Sequence, residues 1–159
     1  MTDRADSVWQ GIVDLHARPG VEEICLQLQD AHGQCVSFLL WAAWAAQAGR
    51  WPAGAELARA AAAARAWEVE VSAPLRAVRR RLKRPLGGVQ DVPRLAFRQA
   101  VLAQELGGER LLAEALEALT PAIGSEAREV ATALAAASRA YGDGGPAAAA
   151  LLASLADAC

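Results

Sequence analysis

The sequence predicts an all-α protein, a single-domain bundle of about six to eight helices around a central helix that contains tryptophan. Its 159 residues are enough for one domain, and a hydrophobic content of 54% can fill one sizeable core. Alanine, leucine, glutamate and arginine favour helices and are abundant, whereas residues that favour strands are scarce. One helical domain is therefore expected over residues 1–159, with a core at 7–119 and an alanine-rich helical hairpin at 120–159.

The first two helices are indicated by apolar residues at i, i+3 and i+4 spacing, and each run ends at a turn signal. Ser7 and Gln10 fit a capping box, in which a hydroxyl and a later amide satisfy free backbone donors, so the first helix is expected to begin there. Pro19-Gly20 is expected to end it. The second helix is expected to begin at Val21, and Gly33 supplies the positive φ that favours a helix end.

A third helix, expected at about 34–48, forms the centre of the predicted bundle. The stretch CVSFLLWAAWAAQ carries no charge, and a helix that is apolar on most sides belongs inside a bundle. Its apolar part is about eleven residues, shorter than the roughly 20 that a bilayer requires. It is therefore predicted to be a core helix and not a membrane span.

A proline is expected to interrupt the next helical segment. The run from Ala55 to Trp67 is rich in alanine, which favours helix and lets neighbouring helices approach closely. Pro74 lacks the N–H that a helix interior needs, so the helix is expected to kink or restart near residues 71–73, with Ser72 as N-cap. The basic stretch PLRAVRRRLKR, residues 74–84, then opens its own helix.

A long helix and an alanine-rich tail complete the chain. Asp91 is expected to begin a helix that reaches about Leu119, with a bend or fraying at Gly107-Gly108 because interior glycines disfavour helix. In the tail, Ser125 is expected to cap a helix that ends near Tyr141. A last helix, mostly alanine and leucine, follows the turn sequence GDGGP.

Few residues carry signatures of catalysis or metal binding. His16 and His32 have no second ligand at helical spacing, and the sequence contains no phosphate loop or nucleophile motif. Cys25, Cys35 and Cys159 lack CxxC spacing, which favours buried thiols over a disulfide framework or a zinc site. The sequence predicts no catalytic residue, no metal and no cofactor, and favours a protein that is not an enzyme. Cys25 acting as a nucleophile beside a histidine is the alternative left open.

The start of the chain indicates a location. The segment Met1 to Gln10 carries Asp3, Arg4 and Asp6 and has no apolar core. It therefore does not have the pattern of a signal peptide, and a cytoplasmic protein is expected.

The basic stretch is the most unusual local feature, because it places six positive charges between Arg76 and Arg84 in a chain with a formal net charge of -2. At 100° per residue, Leu75, Val78 and Leu82 form one apolar stripe that is expected to pack in the core. Cationic residues cover the rest of the helix, some bordering the stripe (Arg79 and Arg81) and some facing outwards (Arg80, Lys83 and Arg84).

Two carboxylates are predicted to lie on a buried face of the long helix. Glu105 and Glu109 fall inside the apolar arc that contains Leu95, Leu102 and Leu106. A carboxylate on such a face must be paired, protonated or directed into a cavity. Arginine suits this pairing because its planar guanidinium can hold a carboxylate with two bonds. Ion pairs or a polar pocket are therefore expected between these glutamates and three arginines, foremost Arg79: Arg76, Arg79 and Arg81.

The charge balance of the whole chain argues against nucleic acid as the main partner. A nucleic-acid-binding domain is usually basic overall, whereas this chain has an isoelectric point near 5.7. No stacking aromatic residues alternate with the basic ones. Binding to a membrane surface would require the apolar stripe to be free, and the core is expected to need it.

Three stretches together resemble a known family. They are PGVEEICLQLQDAHGQCVSFLLWAAWAAQAGRW (19–51), WEVEVSAPLRAVRRRLKR (67–84) and RQAVLAQELGGERLLAEALE (98–117). The resemblance is to an uncharacterised, mainly proteobacterial family of small helical proteins, a domain of unknown function. It implies a helical, cytoplasmic, bacterial protein and carries no activity with it. Gly107-Gly108 and the tail after Pro121 depart from the family pattern.

Three functions are compatible with these patterns. The leading one is a non-enzymatic interaction or adaptor module that presents Arg80, Lys83 and Arg84 to an acidic protein partner. The alternative is a domain, binding or enzymatic, with an Arg/Glu-lined pocket between helices for an anionic small molecule. The third is weak nucleic-acid binding. Gln29-Asp30 is expected to be structural and to contact the basic helix. The sequence does not predict the oligomeric state.

Overall fold

The computed structural model describes residues 7–122, 128–142 and 144–159. Within these ranges the regular structure is helical, and the predicted all-α bundle is confirmed. The helices, in chain order, are α1 (Val8–His16), α2 (Val21–His32), α3 (Val36–Gln47), α4 (Gly54–Trp67), a π-helical segment (Glu68–Ser72), α5 (Ala73–Arg81), α6 (Asp91–Glu117), α7 (Val130–Tyr141) and α8 (Gly145–Ala158).

Helix α3 lies at the centre, as its apolar sequence predicts, and packs against α1, α2, α6 and α7. Phe38 and Trp41 are fully buried and stack on each other with ring centroids 5.3 Å apart. The indole N–H of Trp41 donates to Thr120 Oγ1 at 2.9 Å, and the Thr120 hydroxyl donates to the carbonyl of Leu116 at 2.8 Å. Complete burial of a side chain such as Phe38 contributes about 2–3 kcal/mol, so α3 supplies much of the core.

The first two helices begin and end close to the predicted signals. Ser7 Oγ accepts a hydrogen bond from the backbone N–H of Gln10 at 3.2 Å, and the Gln10 side chain donates to Asp14 Oδ1 at 2.7 Å. Gly33 has φ +62°, the left-handed conformation expected after α2. Within α1, Gly11 allows a close approach of α3, because a Cβ at this position would lie 2.0 Å from Trp44 Cδ1.

The helix changes at the predicted place, because α5 begins at Ala73 with Pro74 in its first turn, but the predicted side-chain cap at Ser72 is not formed. Ser72 has helical backbone angles (φ −67°, ψ −47°) and its side chain makes no cap hydrogen bond. The chain instead remains helical from Gly54 to Arg81, and the π-helical segment lies immediately before Ala73 and Pro74. Proline removes a backbone donor, and a π turn is one way in which a helix accommodates a lost hydrogen bond without ending.

The predicted apolar stripe of α5 is only partly buried. Leu82 is 9% exposed and Leu75 is intermediate, but Val78 is 45% exposed. The helix ends at Arg81, so Leu82 lies at its C-cap and not within a regular wheel. Only part of the stripe therefore packs in the core.

Helix α6 is continuous through Gly107-Gly108, so the fraying predicted there is wrong. Gly108 is buried against Trp67, and a Cβ at position 108 would lie 3.6 Å from the indole. The buried arc of α6 also differs from the prediction, because Leu95 is 46% exposed and Leu106 is 50% exposed.

Arg94 was not expected in the core but is only 5% exposed. Its guanidinium donates to the backbone carbonyl of Leu82 and, at 2.6 Å, to Asp91 Oδ1. These bonds satisfy a carbonyl at the end of α5, where helix carbonyls lack intrahelical donors. Arg94 thereby joins the end of α5 to the start of α6.

The tail packs on the rest of the bundle. Helix α7 contacts α3 and α4, and α8 contacts α2 and α7. The Gln34 side chain donates to the carbonyl of Gly142 at 2.7 Å, which links the α2–α3 turn to the end of α7. The predicted cap Ser125 lies outside the described residues. None of the helices in the described ranges is long and apolar enough to cross a membrane.

Candidate ligand-binding pocket

A cavity of about 440 Å³ lies where α1, α2, α3, α5 and α6 meet. Apolar side chains form much of its wall, among them Trp9, Ile12, Leu40, Leu102 and Leu106. The volume is within the range of roughly 300–1,000 Å³ found for small-molecule sites. The cavity therefore has the size and the lining of a ligand-binding pocket.

Five charged residues line the same cavity: Glu22 of α2, and two from each of two facing helices, Arg76 and Arg79 of α5 and Glu105 and Glu109 of α6. Residues three or four apart lie on one face of a helix, so both spacings direct their side chains to one side. Facing pairs of basic and acidic residues therefore result from the helical repeat. Arg81, the third arginine expected here, is exposed and does not line the cavity.

Arg79 and Glu105 form an ion pair across α5 and α6. Arg79 Nε donates to Glu105 Oε2, and the two side chains are 20% and 10% exposed. Water screens such a pair less than it screens a pair on the open surface. The contact therefore fastens the two helices at the wall of the cavity.

Arg76 pairs with Glu68, which the sequence reading did not single out. Arg76 Nη1 lies 2.8 Å from Glu68 Oε1, Nη2 lies 3.5 Å from Oε2, and both side chains are mostly buried. Burial alone would lower the pKa of Arg76, but the hydrogen bond and charge of Glu68 outweigh it and raise this pKa. On a regular helix, positions eight apart are about 80° apart in rotation. The slower winding of the π-helical segment turns Glu68 towards the face of Arg76.

Glu109 lines the cavity without a partner. Among the residues described, none forms a hydrogen bond or a salt bridge with its carboxylate. Burial raises the pKa of Glu109, Arg76 lowers it, and the carboxylates of Glu105 and Glu68 raise it further. Of the two pocket carboxylates on α6, Glu109 is thus the one that is available to a ligand.

Arg80, which was expected to face an acidic partner, contacts α2 instead. Arg80 Nη2 lies 2.7 Å and 2.8 Å from the two carboxylate oxygens of Asp30, and both side chains are about half exposed. The hydrogen bond from Arg80 is the main cause of the lowered pKa of Asp30, and Gln29 adds a second bond. Lys83 and Arg84 are exposed beyond the end of α5.

Cys25 and His16 also line the cavity. Burial, with a smaller contribution from Cys159, raises the pKa of Cys25 to about 12. The nucleophile in cysteine chemistry is the thiolate, and at neutral pH this group is a thiol. Cys25 therefore serves as part of the apolar wall. Cys35 is likewise buried, whereas Cys159 is partly exposed.

A model of the family described as "Protein of unknown function (DUF2390)" matches residues 7–116. The chain belongs to this family. The matched region extends from α1 through nearly all of α6 and contains every helix that lines the cavity. Helices α7 and α8 lie beyond it. No curated protein and no solved structure matches the chain.

Proposed function

We propose that this protein is a binding module that holds a small molecule in the pocket between α1, α2, α3, α5 and α6. The observation that carries the proposal is one cavity of about 440 Å³ with both an apolar wall and charged side chains directed into it. Such a combination binds a molecule by its apolar body and orients it by its polar end. The sequence indicates this function as an alternative, namely a domain with an Arg/Glu-lined pocket between helices. The cavity favours it over docking of an acidic protein.

The residues in the cavity favour binding over chemistry. The Cys25 thiol has a pKa raised to about 12, and Arg76 and Arg79 are each held by a carboxylate. A general base or nucleophile must be near its partner and must be in the reactive protonation state. These groups are better suited to giving the pocket its shape and polarity than to catalysing a reaction.

The test is a fragment screen by ligand-observed NMR with a pair of matched variants on α6. Leu106 lines the cavity and is 50% exposed, whereas Leu111 is 57% exposed and does not line it. Leu106→Trp should fill the pocket and abolish binding of the fragments that bind the wild type. Leu111→Trp adds the same indole to the same helix and should leave binding unchanged.

Two results would count against a pocket ligand. One is a library in which no fragment binds the wild type. The other is a set of fragments that bind Leu106→Trp as well as Leu111→Trp, since that would place them elsewhere. Thermal unfolding of both variants shows whether the fold is retained.

A second candidate function is docking of an acidic protein on the basic end of α5. The observation that favours it is the exposure of Lys83 and Arg84, which form no ion pair with the residues described. Arg80 contributes only if it leaves Asp30, so the surface is smaller than the sequence suggests. Polyglutamate is the probe: Lys83→Glu/Arg84→Glu should abolish its binding, and Arg18→Glu/Arg139→Glu, with the same change in charge, should not.

Nucleic acid is the third possibility, and the same proteins test it. Binding of a DNA oligonucleotide should fall steeply with salt concentration if phosphates are contacted. If the wild type and Lys83→Glu/Arg84→Glu bind the oligonucleotide equally well, and salt does not weaken the binding, this function is excluded.

The location and source expected from the sequence are also proposals. The family resemblance supports a cytoplasmic, proteobacterial protein. Cell fractionation of the host that carries the gene tests the first of these.

A further inference from the structure

The charges around the pocket do not balance. Arg76 is bound by Glu68, and Arg79 is bound by Glu105. Glu109 is a third carboxylate in the same cluster; Arg76 and Arg79 act on it only through their charge, and none of the described residues forms an ion pair with it. A partly buried carboxylate without a partner either takes up a proton or takes a positive charge from outside.

An anionic ligand is a poor match for this arrangement. It would need a free guanidinium, and both of those in the cavity already hold carboxylates. Displacing Glu68 or Glu105 would leave that carboxylate partly buried and unpaired, which opposes binding. The number of arginines in the sequence indicates an anionic ligand, but in the structure the two arginines of the cavity are paired with carboxylates.

A metal ion is a poor match as well. Hard cations such as Ca²⁺ and Mg²⁺ require about six oxygen ligands. Here the Glu105 carboxylate is engaged by Arg79, and the neighbours of Glu109 along the cavity wall include Leu102 and Leu106. An ammonium group, by contrast, is a compact charge that forms a strong bond with a single carboxylate.

We propose that the pocket binds a primary alkylamine, whose ammonium group pairs with the Glu109 carboxylate and whose hydrocarbon part lies against the apolar wall. Trp9, Ile12, Leu40 and Leu102 form this wall. The inference rests on the proposed function, because it names the class of ligand for the same cavity. The ammonium supplies the ion-pair partner that Glu109 lacks among the described residues. The exposed Val13 and Leu26 mark the open rim of the cavity.

The test is isothermal titration calorimetry of the full chain with hexylamine, hexan-1-ol and hexanoate, which share one hydrocarbon chain and differ in the polar end. Hexylamine should bind the wild type about tenfold more tightly than hexan-1-ol, and hexanoate should bind most weakly. Glu109→Gln should abolish the advantage of the amine. Glu114→Gln makes the same change on the same helix, at a glutamate paired with Arg110 on the surface, and should retain the advantage.

Each other outcome overturns a specific claim. Equal affinity for hexylamine and hexan-1-ol would reject the proposal of an amine ligand, and so would an amine advantage that persists in Glu109→Gln. Neither result would contradict the proposed binding of small molecules in the pocket. If hexanoate binds most tightly, the amine proposal is rejected, and an anionic ligand that pairs with the arginines of the pocket is favoured. If none of the probes binds, the amine is rejected, and the Leu106→Trp and Leu111→Trp screen still decides the proposed function. Glu109→Met is a second variant, should Glu109→Gln fail to fold.

Discussion

Arg79 of α5 and Glu105 of α6 form a mostly buried ion pair that joins the two helices at the wall of the cavity. The bond connects residues that are 26 positions apart in the chain, across the loop between the helices. It therefore fixes how the basic helix lies on α6, and with it the positions of the other charged groups that face the cavity.

Loss of one member of this pair should destabilise the fold. Arg79→Met leaves the Glu105 carboxylate without its donor, and we expect the free energy of unfolding to fall by about 2 kcal/mol. The double variant Arg79→Met/Glu105→Gln should lose less than the sum of the two single changes, as measured by urea unfolding. The exposed pair Arg110–Glu114 is the control and should contribute less than about 0.5 kcal/mol. Additive losses at Arg79 and Glu105 would mean that the contact is not energetically coupled.

The pH dependence of stability should report on Glu109. Its folded pKa is raised, so between its ordinary value, 4.5, and the folded value the native state binds more protons than the unfolded state. Stability from this group is therefore lost as pH rises through that interval. Glu109→Gln should match the wild type below pH 4.5 and become progressively more stable than it above that pH.

Urea unfolding at a series of pH values measures this difference. The groups whose charges act on Glu109 include Glu68, Arg76, Arg79, Glu105 and the buried thiol of Cys35, and other titratable groups also line the cavity, namely His16, Glu22 and Cys25. They are common to both proteins, so they largely cancel in the comparison. Glu114→Gln should show no such trend, and a pH-independent gap for Glu109→Gln would contradict the raised pKa.

Gly11→Ala should destabilise the protein although alanine favours helix. The added Cβ would lie 2.0 Å from Trp44 Cδ1, so either the Trp44 ring must move or α1 and α3 must separate. We expect a loss of about 1–3 kcal/mol from overpacking. Gly107→Ala is the matched control, because the space beside Gly107 is open, and it should stabilise by about 1 kcal/mol. Thermal unfolding distinguishes the two, and a stabilised Gly11→Ala would show that the helices do not approach so closely.

Arg94→Lys should weaken the junction of α5 and α6. Lysine keeps the charge but has one donor group in place of the guanidinium that contacts both Leu82 and Asp91. A loss of about 1–3 kcal/mol in urea unfolding is expected. Gln99→Lys, at an exposed position of the same helix, should change stability by less than about 0.5 kcal/mol. Equal effects at the two positions would argue against a structural role for Arg94.

The helical repeat was enough to locate much of this architecture. The apolar run of α3 predicted a central helix, and the carboxylates Glu105 and Glu109 stood out because they interrupt an apolar arc. A helical wheel states which residues share a face, but not how far a neighbouring helix extends along it. Leu95 and Leu106 share the arc and are nevertheless about half exposed, because no neighbour covers them fully.

The ion-pair and hydrogen-bond partners of the charged side chains were harder to predict than the helices on which these side chains lie. Glu68 reaches Arg76 because the π-helical segment, which begins at Glu68, changes the winding of the helix before Arg76. The local sequence does not predict where such a segment forms. The sequence does contain a signal for the ion pair of Arg94, since Asp91 lies three positions earlier at the start of the helix. Its burial depends on the carbonyl of Leu82, which comes from another helix.

The position of Trp9 provides an optical readout of the cavity. Its indole lines the cavity wall, whereas Trp41 is fully buried in the core and hydrogen-bonded to Thr120. A molecule that enters the cavity replaces water beside Trp9 and leaves the surroundings of Trp41 unchanged. The emission spectrum of the unlabelled protein should therefore shift when the cavity fills, against the background of Trp41 and the three other tryptophans, which do not line the cavity.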